Sequence, residues 1–244
     1  MPRILTYNVH RCVGMDRRLD VGRVAGVIAA LEPDIVALQE LDVGRARTGG
    51  VDQAHEIALR LGMTWRFNAA VRVEEEQYGD AILTSYPERL IKAAPLPGLN
   101  PALRLEPRGA LWIAVDIDGT EVQVMNTHLG LAPTEQQLQA AAIAGPDWLE
   151  REGCTAPTIL LGDFNATRTS VVYRTLTRRL ADARLTAPTR RSTSTFPSRL
   201  PFLRIDHVFV SDGVKVLDVD APYSAGTRLA SDHLPLVMDF EISG

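Results

Sequence analysis

Strand-like and helix-like patterns alternate along all 244 residues with no linker between them, and this alternation sets the fold class. Residues 4–9 read as a strand. Residues 20–31 read as a helix with Val21, Val24, Ala25, Ile28 and Leu31 on one face, ended by Pro33. A strand at 34–39 delivers Glu40 at its C-terminal end, and a helix at 52–61 follows, with Gly62 placed to close it. Further strands are expected at 64–69, 80–85, 89–94, 110–117 and 121–127, the last two joined by Asp118-Gly119, the strongest hairpin signal in the chain. Thr134 opens a third helix with Gln137 in capping-box spacing, and Gly145-Pro146 breaks it. Strands at 158–161, 205–210, 214–219 and 236–242, with a helix from about Ser170 to Leu180, complete the pattern. Hairpins mixed with crossovers require mixed sheets, and the strands are too many for one small sheet. Two packed mixed sheets flanked by helices accommodate them, within a single domain over residues 1–244.

Polar residues recur where these apolar runs end. In LLGDFNAT, residues 160–167, an apolar run closes on Gly162 and then sets Asp163 and Asn165 two positions apart. On an extended chain those two side chains project the same way while Phe164 turns back to the interior. An Asx turn or a helix cap accounts for the same residue types, so this stretch alone leaves both readings open. Asn8 follows ILTY, Glu40 follows IVALQ, His128 follows VMNT, Asp206 lies in RIDHVFV, and Asp232-His233 lie in SDHLPL. Gathered at one sheet edge, so many carboxylates, amides and imidazoles are costly unless an ion or substrate balances them.

Composition excludes several function classes. Hydrophobic content of 45% and charged content of 23% belong to an ordinary globular chain, not a disordered one. A net charge of −4 argues against broad electrostatic binding of nucleic acid, although not against a local basic groove. Cys12 and Cys154 lie far apart without zinc-site spacing, which favours a reduced compartment and free thiols. The chain starts directly on a strand pattern with no charged leader, and no apolar stretch reaches the length of a transmembrane segment, so a cytoplasmic location is the expectation. No Gly-x-Ser-x-Gly elbow is present, and the consecutive Ser231-Asp232-His233 cannot form a triad.

The clustered residue types suit phosphoester chemistry. Mg²⁺ takes a few carboxylate or amide oxygens, keeps several waters, and draws further ligands from substrate phosphate, a shell that Glu40 with Asn8 can supply. Cleavage also needs a group to orient or deprotonate water and donors for the non-bridging oxygens, and Asp163, Asn165, His128 and His233 are of the right kinds. Asp206, on a separate strand, is the better partner for His233, because adjacent side chains such as Asp232 diverge.

TYNVH, ALQE, YGDAILT, PRGAL, NTHLG, GDFN, RIDHVFV and SDHLPL, in that order between residues 6 and 236, resemble the endonuclease/exonuclease/phosphatase superfamily, DNase I-like proteins that include compact bacterial metal-dependent hydrolases. The resemblance implies a four-layer α/β sandwich. It implies Mg²⁺, with Mn²⁺ as a substitute, at Glu40 with Asn8 beside it and Asp232 nearby. It implies that Asp163 positions or deprotonates the water, that Asn165, His128 and Arg108 bind the phosphate, and that His233, oriented by Asp206, contacts it or transfers a proton. The chain departs from the pattern at His10, where AP endonucleases of the family carry an acid, and at Asp80, a position often filled by Asn or a small residue. Arg45, Arg47, Arg190, Arg191, Arg199 and Arg204 are candidates for steering an anionic substrate, with solvated loop charge the plainer account of most. The favoured function is a Mg²⁺-dependent phosphodiesterase acting on a small-molecule or lipid-derived phosphodiester. Nuclease action on DNA or RNA is the alternative, disfavoured by net charge and by only 6% aromatic residues. A catalytically silent binding module ranks third, since of the acids and histidines in the motifs only that at position 10 is replaced. The sequence sets no oligomeric state.

Overall fold

A computed structural model describes residues 1–189 and 191–242; Arg190 therefore lies outside the described residues. Two six-stranded mixed sheets pack face to face, and helices cover both outer faces, making the four-layer α/β sandwich. Each sheet is built around a parallel pair joined by a crossover helix. In the first, β1 (Arg3–Asn8) passes through α1 (Val21–Ala29) to β2 (Ile35–Val43). In the second, β7 (Thr120–His128) passes through α3 (Pro133–Ala144) to β8 (Thr158–Asp163). A strand followed by a crossover returns in the same direction, so both pairs send their C-terminal ends the same way within their sheets.

Hairpins extend each centre. In the first sheet β4 (Glu76–Thr84) and β3 (Thr64–Val73) add on one side, and β12 (Leu236–Ile242) and β11 (Val214–Asp220) on the other. In the second, β6 (Gly109–Ile117) and β5 (Glu88–Pro95) flank β7, while β10 (Asp206–Val210) and the short β9 (Ala181–Asp182) flank β8. Asp118 and Gly119 both adopt positive φ, 53° and 85°, as a tight hairpin turn requires.

Period-two alternation assigns the strand residues to layers. Ile4, Ile35, Ala37, Ile82, Leu111, Val124, Leu161 and Val208 fill the space between the sheets. Leu5, Tyr7, Val36, Leu38 and Leu83 face α1 and α2 (Gln53–Leu61). Met125, Leu160, Phe164 and Phe209 face α3 and α4 (Val171–Leu176). Phe164 is fully buried and meets Phe209 edge to face at 5.2 Å; its truncation to alanine would cost about 3–5 kcal/mol. Continuing the inward register places Asn8, Asp80, His128, Asp163 and Asp206 on the inter-sheet face at one end of the sandwich.

Four local expectations are corrected. The β2 strand does not end before Glu40: it runs on to Val43 through a bulge in which Gln39 and Glu40 oppose the single residue Asp80. With Glu40 at φ 61°, the bulge advances the alternation by one, so Leu41 joins the outer layer and Glu40 turns towards the inter-sheet end. The third helix starts at Pro133 after Ala132, without a side-chain cap, because proline at the first turn already supplies a fixed φ. The helix capped by Ser170 stops at Leu176, well short of Leu180. Short helices α5 (Ala183–Thr186) and α6 (Ala225–Ala230) have no counterpart in the periodicity reading. Elsewhere Asp20 and Asp52 cap α1 and α2, and Gly62 closes α2 at φ 67°. Among the described residues no helix is long and apolar enough to cross a membrane.

Candidate active site

Asn8 ties the two sheets together. Its Nδ2 donates to Glu40 Oε1 at 3.0 Å and to Asp163 Oδ2 at 3.0 Å, while its Oδ1 accepts from the His10 backbone N–H at 3.1 Å. In this orientation Asn8 holds the Glu40 carboxylate in place and keeps its own oxygen on the chain that follows. His10 contributes through its main chain; its ring lies against Arg11, with Nε2 2.7 Å from Nη2.

Asp163 is the hub. Oδ1 accepts from the Asn165 backbone N–H at 2.8 Å, so the Asx turn that the sequence allowed is present and also serves the site. Oδ2 faces His128 Nε2 at 3.4 Å and His233 Nε2 at 3.7 Å. Burial and the neighbouring Asp206 charge hold its carboxyl well above the usual range, against the pull of His233 and Asn8. Gly162 brings β8 this close to β7: its φ is 144°, and a Cβ there would collide with the Thr127 carbonyl oxygen.

The two imidazoles are tuned in opposite directions. His128 is buried, and burial together with Arg108 and His233 pushes its pKa down, so the ring is neutral. Arg108 Nη1 lies 3.0 Å from His128 Nδ1, while Nε2 faces Asp163 Oδ2 at 3.4 Å and the Asn165 amide nitrogen at 3.1 Å, so donors approach both ring nitrogens. His233 is also buried, which alone would lower its pKa, yet the carboxylates of Asp206 and Asp163 outweigh burial and lift it to about 10. Its Nδ1 stands 2.9 Å from Asp206 Oδ2. The ring therefore carries a proton at neutral pH.

Asp206 is enclosed in turn. Oδ2 also accepts from the Thr195 hydroxyl, and Oδ1 is buried without a partner. Phe196 packs on the His233 ring at 4.9 Å. Asp232 is half-buried; Ser231 Oγ donates to the Asn8 carbonyl at 2.7 Å and lies 3.3 Å from Asp232 Oδ1, and the Asp232 charge contributes to raising both Tyr7 and His233. Asp80, opposite the bulge, is buried beside Glu40 and Arg108, and burial pushes its carboxyl up to about 8.

The chain matches the endonuclease/exonuclease/phosphatase family over residues 5–233. It belongs to that family. Members of the endonuclease/exonuclease/phosphatase family hydrolyse phosphoester bonds. Among its relatives, YbhP of Escherichia coli K12, itself uncharacterised, is 26% identical over 251 residues, covering 98% of this chain and 96% of YbhP. An endonuclease/exonuclease/phosphatase structure from Bacteroides vulgatus superposes with a TM-score of 0.79 at 22% identity, covering 99% of each chain. The Bacteroides thetaiotaomicron mannosyl-6-phosphatase Bt3783 superposes with a TM-score of 0.78 at 18% identity, covering 99% of this chain and 100% of its own. These structural likenesses establish the shared fold.

The donor set of this family member fits a hard divalent cation. Glu40, Asp80, Asp163, Asp206 and Asp232 converge against Arg108 and the His233 imidazolium, and the orphaned Asp206 Oδ1 marks the surplus of buried acceptor. Ligand atoms of Asp163, Asp206 and His233 lie within 4.8 Å of one another. Asp206 already holds His233 Nδ1, so within this trio that pair forms an ion-paired relay.

Most of the arginines considered for steering are committed elsewhere. Arg45 pairs with Glu76, Arg47 with the buried Asp42, and Arg191 with Asp218 and Asp220, while Arg199 donates to the Met15 carbonyl. Both cysteines are free. Thr195, Phe196 and the bulge partner Gln39 were not singled out from sequence, and Ser231 was considered only as a triad member. Gln39 Nε2 donates to Asn126 Oδ1 at 2.8 Å and to Thr6 Oγ1 at 3.0 Å, a buried polar bridge beneath the site. Thr195 and Phe196 lie in the Pro-, Ser- and Arg-rich stretch 187–204, whose length is the one sequence signal for them, because loops this long are often functional.

Proposed function

We propose that this protein is a Mg²⁺-dependent phosphodiesterase that cleaves a small-molecule or lipid-derived phosphodiester by attack of water. The observation that carries this reading is the Asn8 bridge, which sets the Glu40 carboxylate of one sheet beside the Asp163 carboxylate of the other. Glu40, with Asn8 holding it and Asp232 beside them, would hold the ion, and Mn²⁺ would substitute. When bound, the ion neutralises charge that develops on the phosphoryl oxygens.

The chain's own groups account for the rest. Asp163, with a raised pKa and imidazoles on two sides, orients the attacking water and accepts its proton. Asn165 Nδ2, the His128 ring and the Arg108 guanidinium form a donor wall for the non-bridging oxygens. His233, charged and fixed by Asp206, places its Nε2 proton where a leaving-group oxygen needs one. The mannosyl-6-phosphatase with the same fold is named as a monoesterase, so the decisive assay sets a diester against its matched monoester. The test is a panel of bis(4-nitrophenyl) phosphate, 4-nitrophenyl phosphate, phospholipids, inositol phosphates, DNA and RNA, each with Mg²⁺, Mn²⁺ or chelator. Metal-dependent turnover of the small or lipid diesters in preference to monoester and nucleic acid is expected; preference for DNA or RNA overturns the assignment.

A further inference from the structure

A cavity of about 620 Å³ is lined by Arg168, Arg184 and Arg204 together with Thr193, Ala187 and Pro188. Its walls belong to the chain segments that carry the site. Arg168 follows Asn165 by three residues, Arg204 precedes Asp206 by two, and Thr193 precedes by two the Thr195 that donates to Asp206.

The charge in this cavity is unbalanced. Among the described residues the one ion pair these three guanidinium groups make is that of Arg204 with Asp182, which is buried and already accepts from the Tyr173 hydroxyl at 2.6 Å. Arg204 Nε is buried without a partner. Arg184 spends Nη1 on the Thr189 carbonyl at 2.7 Å, Arg168 lies beside the Tyr173 hydroxyl, and neither forms an ion pair with a carboxylate among the described residues. A concave group of arginines with donors to spare fits the tetrahedral oxygens of a phosphoryl group.

We propose that this cavity is a subsite for a second phosphoryl group of the substrate, carried at a distance from the scissile ester. The inference rests on the phosphodiesterase reading and narrows it to diesters bearing an additional phosphate. Arg184 and Arg168 grip that group, while Arg204, anchored by Asp182, forms the floor.

The test compares bis(4-nitrophenyl) phosphate with a 4-nitrophenyl diester carrying a terminal phosphate on a short arm, using wild type, Arg168→Ala and Arg184→Ala. Each variant is expected to keep wild-type kcat/KM on bis(4-nitrophenyl) phosphate and to lose about tenfold on the phosphate-bearing diester, mainly through KM. Equal losses on both substrates, or none on the second, overturn the subsite. If wild type cleaves neither compound, the phosphodiesterase reading fails, and binding then decides the cavity on its own. Inorganic phosphate titrated into chelator-treated protein should shift the Arg168 and Arg184 side-chain NMR resonances, and unmoved resonances overturn the proposal.

Discussion

His233 Nδ1 lies 2.9 Å from Asp206 Oδ2, and that contact joins the loop before β12 to the first residue of β10 across the end of the sandwich. The pair makes His233 a cation in a buried place where a lone imidazole would be neutral.

Replacing Asp206 by Asn removes the charge and keeps the shape. The His233 titration midpoint, about 10 in the native protein, should fall in Asp206→Asn, as followed by ring-proton NMR. Diester turnover should drop about 10²–10⁴-fold. The linkage has a definite sign. His233 is raised from 6.5, so its stabilising contribution is whole below that pH and disappears as pH climbs through about 10. The stability gap between native and Asp206→Asn protein should therefore narrow between neutral and strongly alkaline pH in urea unfolding.

Asp80 works in the opposite direction. Burial raises its carboxyl from 3.8 to about 8 although Arg108 opposes the shift, so the folded state holds a proton that the unfolded chain releases near pH 4. Stability of the metal-free protein should decline as pH rises from about 4 to about 8 on account of this group. Asp80→Asn should raise Tm at pH 8 and leave it nearly unchanged at pH 4, as read by calorimetry in chelator.

Thr195 supports the relay from a loop. Thr195→Val removes the hydroxyl that donates to Asp206, a carboxylate whose other oxygen already lacks a partner. A loss of about 1–3 kcal/mol in urea unfolding is expected, with reduced turnover, and Thr195→Ser should restore both.

The strands and their order of use were legible because period-two apolar patterns are long and strong here, and because Asp118-Gly119 left one hairpin no alternative. The placement of Asn8, Asp163 and His128 was legible for the same reason: each ends an inward-facing register. Glu40 was expected at the end of its strand but lies in a bulge within it, since a bulge adds one residue without changing composition and periodicity cannot reveal it. The β3–β4 turn at Glu74-Glu75 was missed because it uses neither Gly nor Asn, Glu74 taking φ 52° unaided. Thr195 and Phe196 lie in a stretch with no period at all, and their roles exist only once the loop is folded over Asp206 and His233. Ion pairing such as Arg47 with Asp42 depends on tertiary placement, which explains why the rim arginines could not be sorted from sequence.

Hydrolysis of bis(4-nitrophenyl) phosphate by wild type, Glu40→Ala and His233→Ala, with Mg²⁺ and with chelator, bears most directly on the account. Wild-type turnover should require the metal, and both variants should lose about 10²–10⁴-fold while retaining a cooperative melt. Undiminished turnover in either folded variant would contradict it.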